Sequence, residues 1–339
     1  MATSQVNTLP TWEEAIEVTP LHSNRYSASL RDEWCIGTVP HGGYTTAVLY
    51  RLATIHFAHE HPSLYNEPAT PISIQLTFLR RTAAGSAVLS VQDMKLGART
   101  STIHVTLSQP SEKKRGATED GDDGLEVKVA GYITVSPSSA EVGLSANTSW
   151  ELLPPPLRGT GPDGRVDLST LKKTGHDGDW MRLEVPFPKF RRAAQQIELF
   201  GPDPKLGRPK VVDQWARFRP NGDPEARWTN EAVAYLTDMF PMALDGFDAV
   251  ASASSRGHNA SSTAKYWYPT VTLNIDLKKR LPPQGVEWLY SRVQTKVIQD
   301  GRTDLEVVVL DVQGDVVALS TQVGLVLSSS RNVGQRLRL

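Results

Sequence analysis

Ile72-Ser73-Ile74-Gln75-Leu76-Thr77-Phe78-Leu79-Arg80-Arg81 and Val271-Thr272-Leu273-Asn274-Ile275-Asp276-Leu277-Lys278-Lys279-Arg280 are the two stretches that decide the fold. Each alternates apolar and mostly polar residues, the pattern of a strand with one buried face. Both follow a proline (Pro71, Pro269) and both run into a basic cluster. The likeness continues downstream. A glycine (Gly85, Gly285) precedes a second alternating run, Ala87 to Leu96 against Val286 to Val297. A turn carrying Arg99-Thr100 or Arg302-Thr303 introduces a third, Thr102 to Leu107 against Leu305 to Leu310. A last strand closes each unit, Leu125 to Val135 and Val316 to Leu327. Gln313-Gly314-Asp315 predicts a tight hairpin before the latter, and its counterpart is expanded into the polar, glycine-rich stretch 110–124, read as a mobile surface loop.

One helical segment precedes each strand group. The first starts at Gly42-Gly43-Tyr44 and runs Thr45 to about His59, with Ala47, Val48, Leu52, Ile55 and Phe57 as its apolar surface. The second is capped near Thr229-Asn230-Glu231 and runs Ala232 to Met239, before Pro241 interrupts it. A mostly apolar helix followed by antiparallel strands describes a helix wrapped by a curved sheet, and two copies can cover each other's edges. Pro154-Pro155-Pro156 and the Gly/Asp-rich stretch after it read as a linker. The units are therefore placed at 1–140 and 196–339, with 141–195 between them.

The chain has 339 residues, 39% hydrophobic and 22% charged, enough for two sizeable cores. A net charge of -1 argues against nucleic acid as a partner. The single Cys35, between Trp34 and Ile36, rules out an intramolecular disulfide and reads as a core filler. No run approaches the ~20 apolar residues of a membrane span, and the N-terminus lacks a signal pattern. A cytoplasmic protein is expected; the ending Leu337-Arg338-Leu339 is a weak version of a peroxisomal address.

The chemistry is expected in the second unit. Asp238 stands in an apolar helix, where a carboxylate is costly unless it is hydrogen-bonded; a helix-end cap before Pro241 would read the same. Thr272 lies on the paired strand, and Gln322 on the last one, where our alignment of the repeat puts Ala130 in the first unit. Alone, each is an ordinary strand residue; together they offer an acid, a hydroxyl and a carboxamide. His41, Gly42, Gly43 and Tyr44 form a second centre, a glycine turn at a helix start able to approach an anion, with an imidazole beside it. His56, His59 and His61 fit a solvated helix end, with no adjacent carboxylate pattern to complete a metal site, so neither metal nor cofactor is expected. No Gly-x-Ser-x-Gly elbow is present.

Gln214-Trp215-Ala216-Arg217-Phe218-Arg219-Pro220-Asn221-Gly222-Asp223, followed by Ala234-Tyr235-Leu236-Thr237-Asp238-Met239, then Thr272 and Ser320-Thr321-Gln322, resembles the second domain of the acyl-CoA thioesterase II family. The resemblance spans about 30 to 140 and 195 to 330. It implies an α+β double-hotdog fold, two tandem helix-wrapped antiparallel sheets in one chain. It also implies that Asp238, Thr272 and Gln322 correspond to the family's active-site set, and that acyl-CoA or a carrier-bound acyl thioester is the substrate. Paired sheets make a homo-oligomer an implied assembly. Val323, Asn274 and the basic ending Lys278-Lys279-Arg280 depart from the family's pattern. Arg80, Arg81 and the last three have two readings, phosphate contacts or charges that protect a strand end. Two other readings stand beside hydrolysis: a cyclase, dehydratase or isomerase acting on a polyketide-like molecule, and a non-catalytic acyl-binding protein.

Overall fold

The two alternating runs pair with each other. In the computed structural model, which describes residues 9–111, 124–146, 148–206, 211–240 and 264–333, strand Thr70–Phe78 lies antiparallel to strand Thr270–Leu277. Leu76 faces Leu273 and Ile74 faces Ile275, so the buried faces of the two halves merge at the seam. Outward from it, the first half continues through Leu125–Ser136, Ser101–Pro110, Gly85–Lys95 and Arg25–Leu30. The second half continues through Val316–Leu325, Arg302–Leu310, Trp288–Gln294 and Val211–Phe218. The order is the same on both sides, so the chain is two copies of one five-strand unit sharing a continuous antiparallel sheet. Neither seam strand is left as an open edge.

Each unit wraps one helix. The first, Gly42–Glu60, has 19 residues and is buried nearly all round over its first three turns, because the sheet covers one side and the second helix, Asn230–Thr237, packs against another. The second has eight residues, with Thr229 accepting a hydrogen bond from Ala232 N–H as its cap. Its short length leaves Asp238 as the residue that ends it.

The stretch read as a linker carries structure of its own. Helix Leu168–Thr174 is capped by Asp167, and strands His176–Asp177, Trp180–Leu183 and Ile197–Pro202 extend the second half of the sheet. The reason is a second small core in which Leu171, Trp180, Phe200, Trp288, Tyr290 and Leu310 are buried together. Arg292, 1% exposed, forks onto Asp213 with contacts of 2.6 and 2.9 Å and also donates to the Pro154 carbonyl, tying the proline-rich stretch down. Most of the stretch 110–124 and the ending Leu337 to Leu339 lie outside the described residues. Among those described, no helix is long and apolar enough to cross a membrane.

Candidate active site

The helix Gly42–Glu60 begins against the end of the helix Asn230–Thr237, and the carboxylate of Asp238 fills that junction. Asp238 Oδ2 accepts a 2.7 Å hydrogen bond from Gly43 N–H, and Oδ1 accepts one of 3.1 Å from the Thr270 hydroxyl. The first four N–H groups of a helix have no partner within it, and the helix dipole favours negative charge there. His41, the N-cap residue, makes no side-chain cap of its own. A carboxylate from the other unit takes that place.

Both glycines are required by this approach. A Cβ at Gly42 would stand 2.7 Å from Asp238 Oδ2, and one at Gly43 would meet the Tyr235 carbonyl at 2.8 Å. The glycine turn predicted to approach an anion does so, and the anion is the protein's own. Gly43 N–H is thereby committed to Asp238 and is not free to hold a substrate oxygen.

His41 Nδ1 stands 3.5 Å from Asp238 Oδ2, and its ring meets Tyr235 edge-on with centroids 5.1 Å apart. Asp238 is 3% exposed. Burial pushes its carboxyl above the usual carboxylate range, against the pull of His41, Gly43 N–H and Thr270. Burial pushes His41 down, against the pull of Asp238. The separation is that of an ion pair, and burial opposes charge on both groups more strongly than their mutual attraction favours it.

Gln322 reaches the same place from the last strand. Its Nε2 donates to the Thr237 carbonyl at 2.8 Å, and its Oε1 is buried with no hydrogen-bond partner among the described residues. A buried acceptor without a donor is costly and points to a water or ligand.

Two of the predicted residues need correction. Thr272 does not face Asp238; Thr270 does. The pairing of the seam strand with the last strand slips between Thr270, opposite Gly324, and Thr272, opposite Val323. This bulge at Val271 reverses the alternation. Leu273 and its partner Gln322 point inward, whereas Thr272 shares its face with the exposed Val323. Tyr44, expected to bind substrate, is fully buried: its hydroxyl donates to the Ala15 carbonyl at 2.6 Å and accepts from Arg31 N–H at 3.1 Å, and its ring stacks on Trp34. It is a core residue one turn into the helix.

The basic strand ends are occupied by the protein itself. Arg80 pairs with Glu126, Lys279 with Asp311 and Asp315, and Arg280 with Glu141; Lys278 stands 3.8 Å from Asp276. Arg81 donates to the Asn332 and Arg331 carbonyls and lies over Trp267. Cys35 is buried, and burial pushes its thiol up to about 12, which leaves it without nucleophilic character.

Two helix-wrapped antiparallel sheets joined edge to edge in one chain define the fold class: a double hotdog. Residues 30–135 match the acyl-CoA thioesterase N-terminal domain and residues 162–326 the acyl-CoA thioesterase C-terminal domain. The thioesterase-like protein TwmA of Talaromyces wortmannii is 31% identical over 343 residues, covering 96% of this chain and 94% of TwmA. Among solved structures, a conserved protein of unknown function with a hotdog fold from Alicyclobacillus acidocaldarius aligns with a TM-score of 0.61 at 16% identity, covering 95% of this chain and 99% of that one. An acyl-CoA thioesterase II from Mycobacterium marinum aligns at 0.55 and 16% identity, covering 95% and 100%. The chain belongs to the acyl-CoA thioesterase family, a family of acyl-thioester hydrolases.

Proposed function

We propose that the protein hydrolyses an acyl thioester carried on coenzyme A or a carrier protein, with Asp238 as the general base. The observation that carries this is the buried carboxylate held on both oxygens, one by Gly43 N–H and one by Thr270, beside the unpartnered Oε1 of Gln322. A base that must take a proton near neutrality needs a raised pKa and a fixed position, and burial supplies the first here while the two donors supply the second. A water between Asp238 and Gln322 Oε1 would lose its proton to Asp238 as its oxygen attacks the thioester carbonyl. The tetrahedral intermediate then collapses with loss of the thiolate, which takes the proton back, giving an acid and a thiol. Thr270 acts as a positioning residue. Gly42 N–H, unpaired within the helix by position and next to the N–H that holds Asp238, is the main-chain donor we assign to the developing oxyanion.

A second reading rests on one contact, the imidazole of His41, 9% exposed, at 3.5 Å from Asp238 Oδ2. An acid–base pair contributed by the two units also suits proton transfer on carbon, as in a dehydratase, cyclase or isomerase. Thiol release from a chain-length series of acyl-CoAs separates the two. The hydrolase reading expects thiol in step with acid product. Conversion of a thioester without thiol release favours the second reading, and binding without any turnover removes both.

A further inference from the structure

At the other end of the helix Gly42–Glu60, about 20 Å along its axis from Gly43, a separate polar cluster is closed by a residue distant in sequence. Only His59 behaves as the expected solvated helix end; it is exposed and touches Glu60. His56 is fully buried, and His61 is the C-cap residue, 20% exposed. Asp93 comes between them from strand Gly85–Lys95. Its Oδ1 is 2.9 Å from His56 Nε2 and its Oδ2 is 2.9 Å from His61 Nε2. One ligand atom from each of the three residues falls within 4.8 Å of the others.

Asp93 occupies an inward position. Ala87, Leu89 and Val91, at the same phase of the strand, are core residues, and the strand bulges immediately after Asp93. An apolar face that ends in a carboxylate, aimed at a buried imidazole, is an arrangement that packing alone disfavours. The other nitrogen of His56 is held as well: Nδ1 lies 2.8 Å from the Tyr26 hydroxyl. Such a partner fixes the tautomer of a metal-bound histidine. On the solvent side His61 and Asp93 remain partly exposed, 20% and 27%, so the cluster is reachable from water.

We infer that His56 Nε2, His61 Nε2 and Asp93 form a binding site for one divalent transition-metal ion, with Zn2+ matching two imidazoles, one carboxylate and a water. Without metal, both Nε2–H groups donate to Asp93 and the Tyr26 hydroxyl donates to His56 Nδ1. On binding, each imidazole moves its proton from Nε2 to Nδ1, where Tyr26 accepts from His56, so no net proton is released. The ion joins the helix end to the sheet and stands apart from the Asp238 site.

Tag-free protein, stripped with a chelator and titrated with zinc chloride by calorimetry, tests this. One equivalent is expected to bind the wild type, and His61→Ala and Asp93→Asn are expected to lose it. Tyr26→Phe should bind about tenfold more weakly. Zinc should raise the melting midpoint of the wild type and leave that of His61→Ala unchanged. His61 is partly exposed at a helix end, so its replacement keeps the fold, checked by circular dichroism, and decides the matter even if Asp93→Asn misfolds. Absence of stoichiometric uptake by the wild type overturns the proposal, as does an equivalent that persists in His61→Ala.

Discussion

The paired helices meet at two junctions, one at each end, and only one of them is built like an active site. Where the helix Gly42–Glu60 begins, the other unit supplies Asp238, with Thr270 and Gln322 behind it. Where the helix Asn230–Thr237 begins, the first unit supplies Tyr50 and Arg51. Arg51 stands 3.5 Å from Glu231, and Tyr50 is buried beside it, 2% exposed. The strands repeat this exchange. Both units bulge at the same place, between Pro71 and Ser73 in one and between Thr270 and Thr272 in the other. Counting from the bulge, Pro71 takes the place of Thr270, and the fully buried Ile133 takes the place of Gln322. One backbone thus carries a polar set on one side and an apolar or ion-paired set on the other. The first unit's contribution to the proposed chemistry is its helix start.

Substitutions that move one junction toward the other sharpen the contrast. Gln322→Ile, which installs the first unit's residue, is expected to lower kcat about 100-fold with KM little changed, as for loss of one polar group in an acyl-transfer site; steady-state thiol release measures it. Thr270→Ala comes next. Losing a hydrogen bond to a charged group costs about 1.5–3 kcal/mol, roughly tenfold or more in rate. Thr272→Ala, on the opposite face, is expected to leave kcat unchanged, and equal losses for the two threonines would break the assignment.

The smallest effect concerns stability. Because burial raises the pKa of Asp238 in the folded state, the folded chain holds that proton more tightly than the unfolded chain does. Its contribution is therefore present in full below the ordinary carboxylate range and is lost as the pH climbs through the raised value. Asp238→Asn avoids that loss. Urea unfolding is expected to find it more stable than wild type near neutrality, with the gain vanishing in acid. A variant less stable at neutral pH would show that the carboxylate is held as a stabilising charge.

The strands were legible because period-2 alternation survives in sequence, and the repeat was legible because both seam strands keep one phase. Asp238 was legible as a carboxylate in an apolar helix. Thr270 was not, since a one-residue bulge leaves no local signature and reverses every inference drawn from alternation across it. The sequence alignment of the repeat put Ala130 opposite Gln322, whereas the strand register puts Ile133 there: Ile133 pairs with Ile74 as Gln322 pairs with Leu273. Tyr44 looked available because it neighbours two glycines, but helical geometry turns it toward Trp34. Asp93 was out of reach for a different reason. Nothing near His56 in sequence announces it, and only the packing of helix on sheet brings the two together. The stretch 141–195 read as linker because its prolines and glycines outweigh the few aromatic residues, notably Trp180, that dock it.

Whether a single junction performs the reaction is tested most directly by turnover of Asp238→Asn and Tyr50→Phe, measured side by side on the best acyl-CoA substrate. The account predicts a loss of roughly 1,000-fold for Asp238→Asn, the scale of a missing general base, and near wild-type turnover for Tyr50→Phe. Undiminished thiol release by a folded Asp238→Asn protein would contradict it.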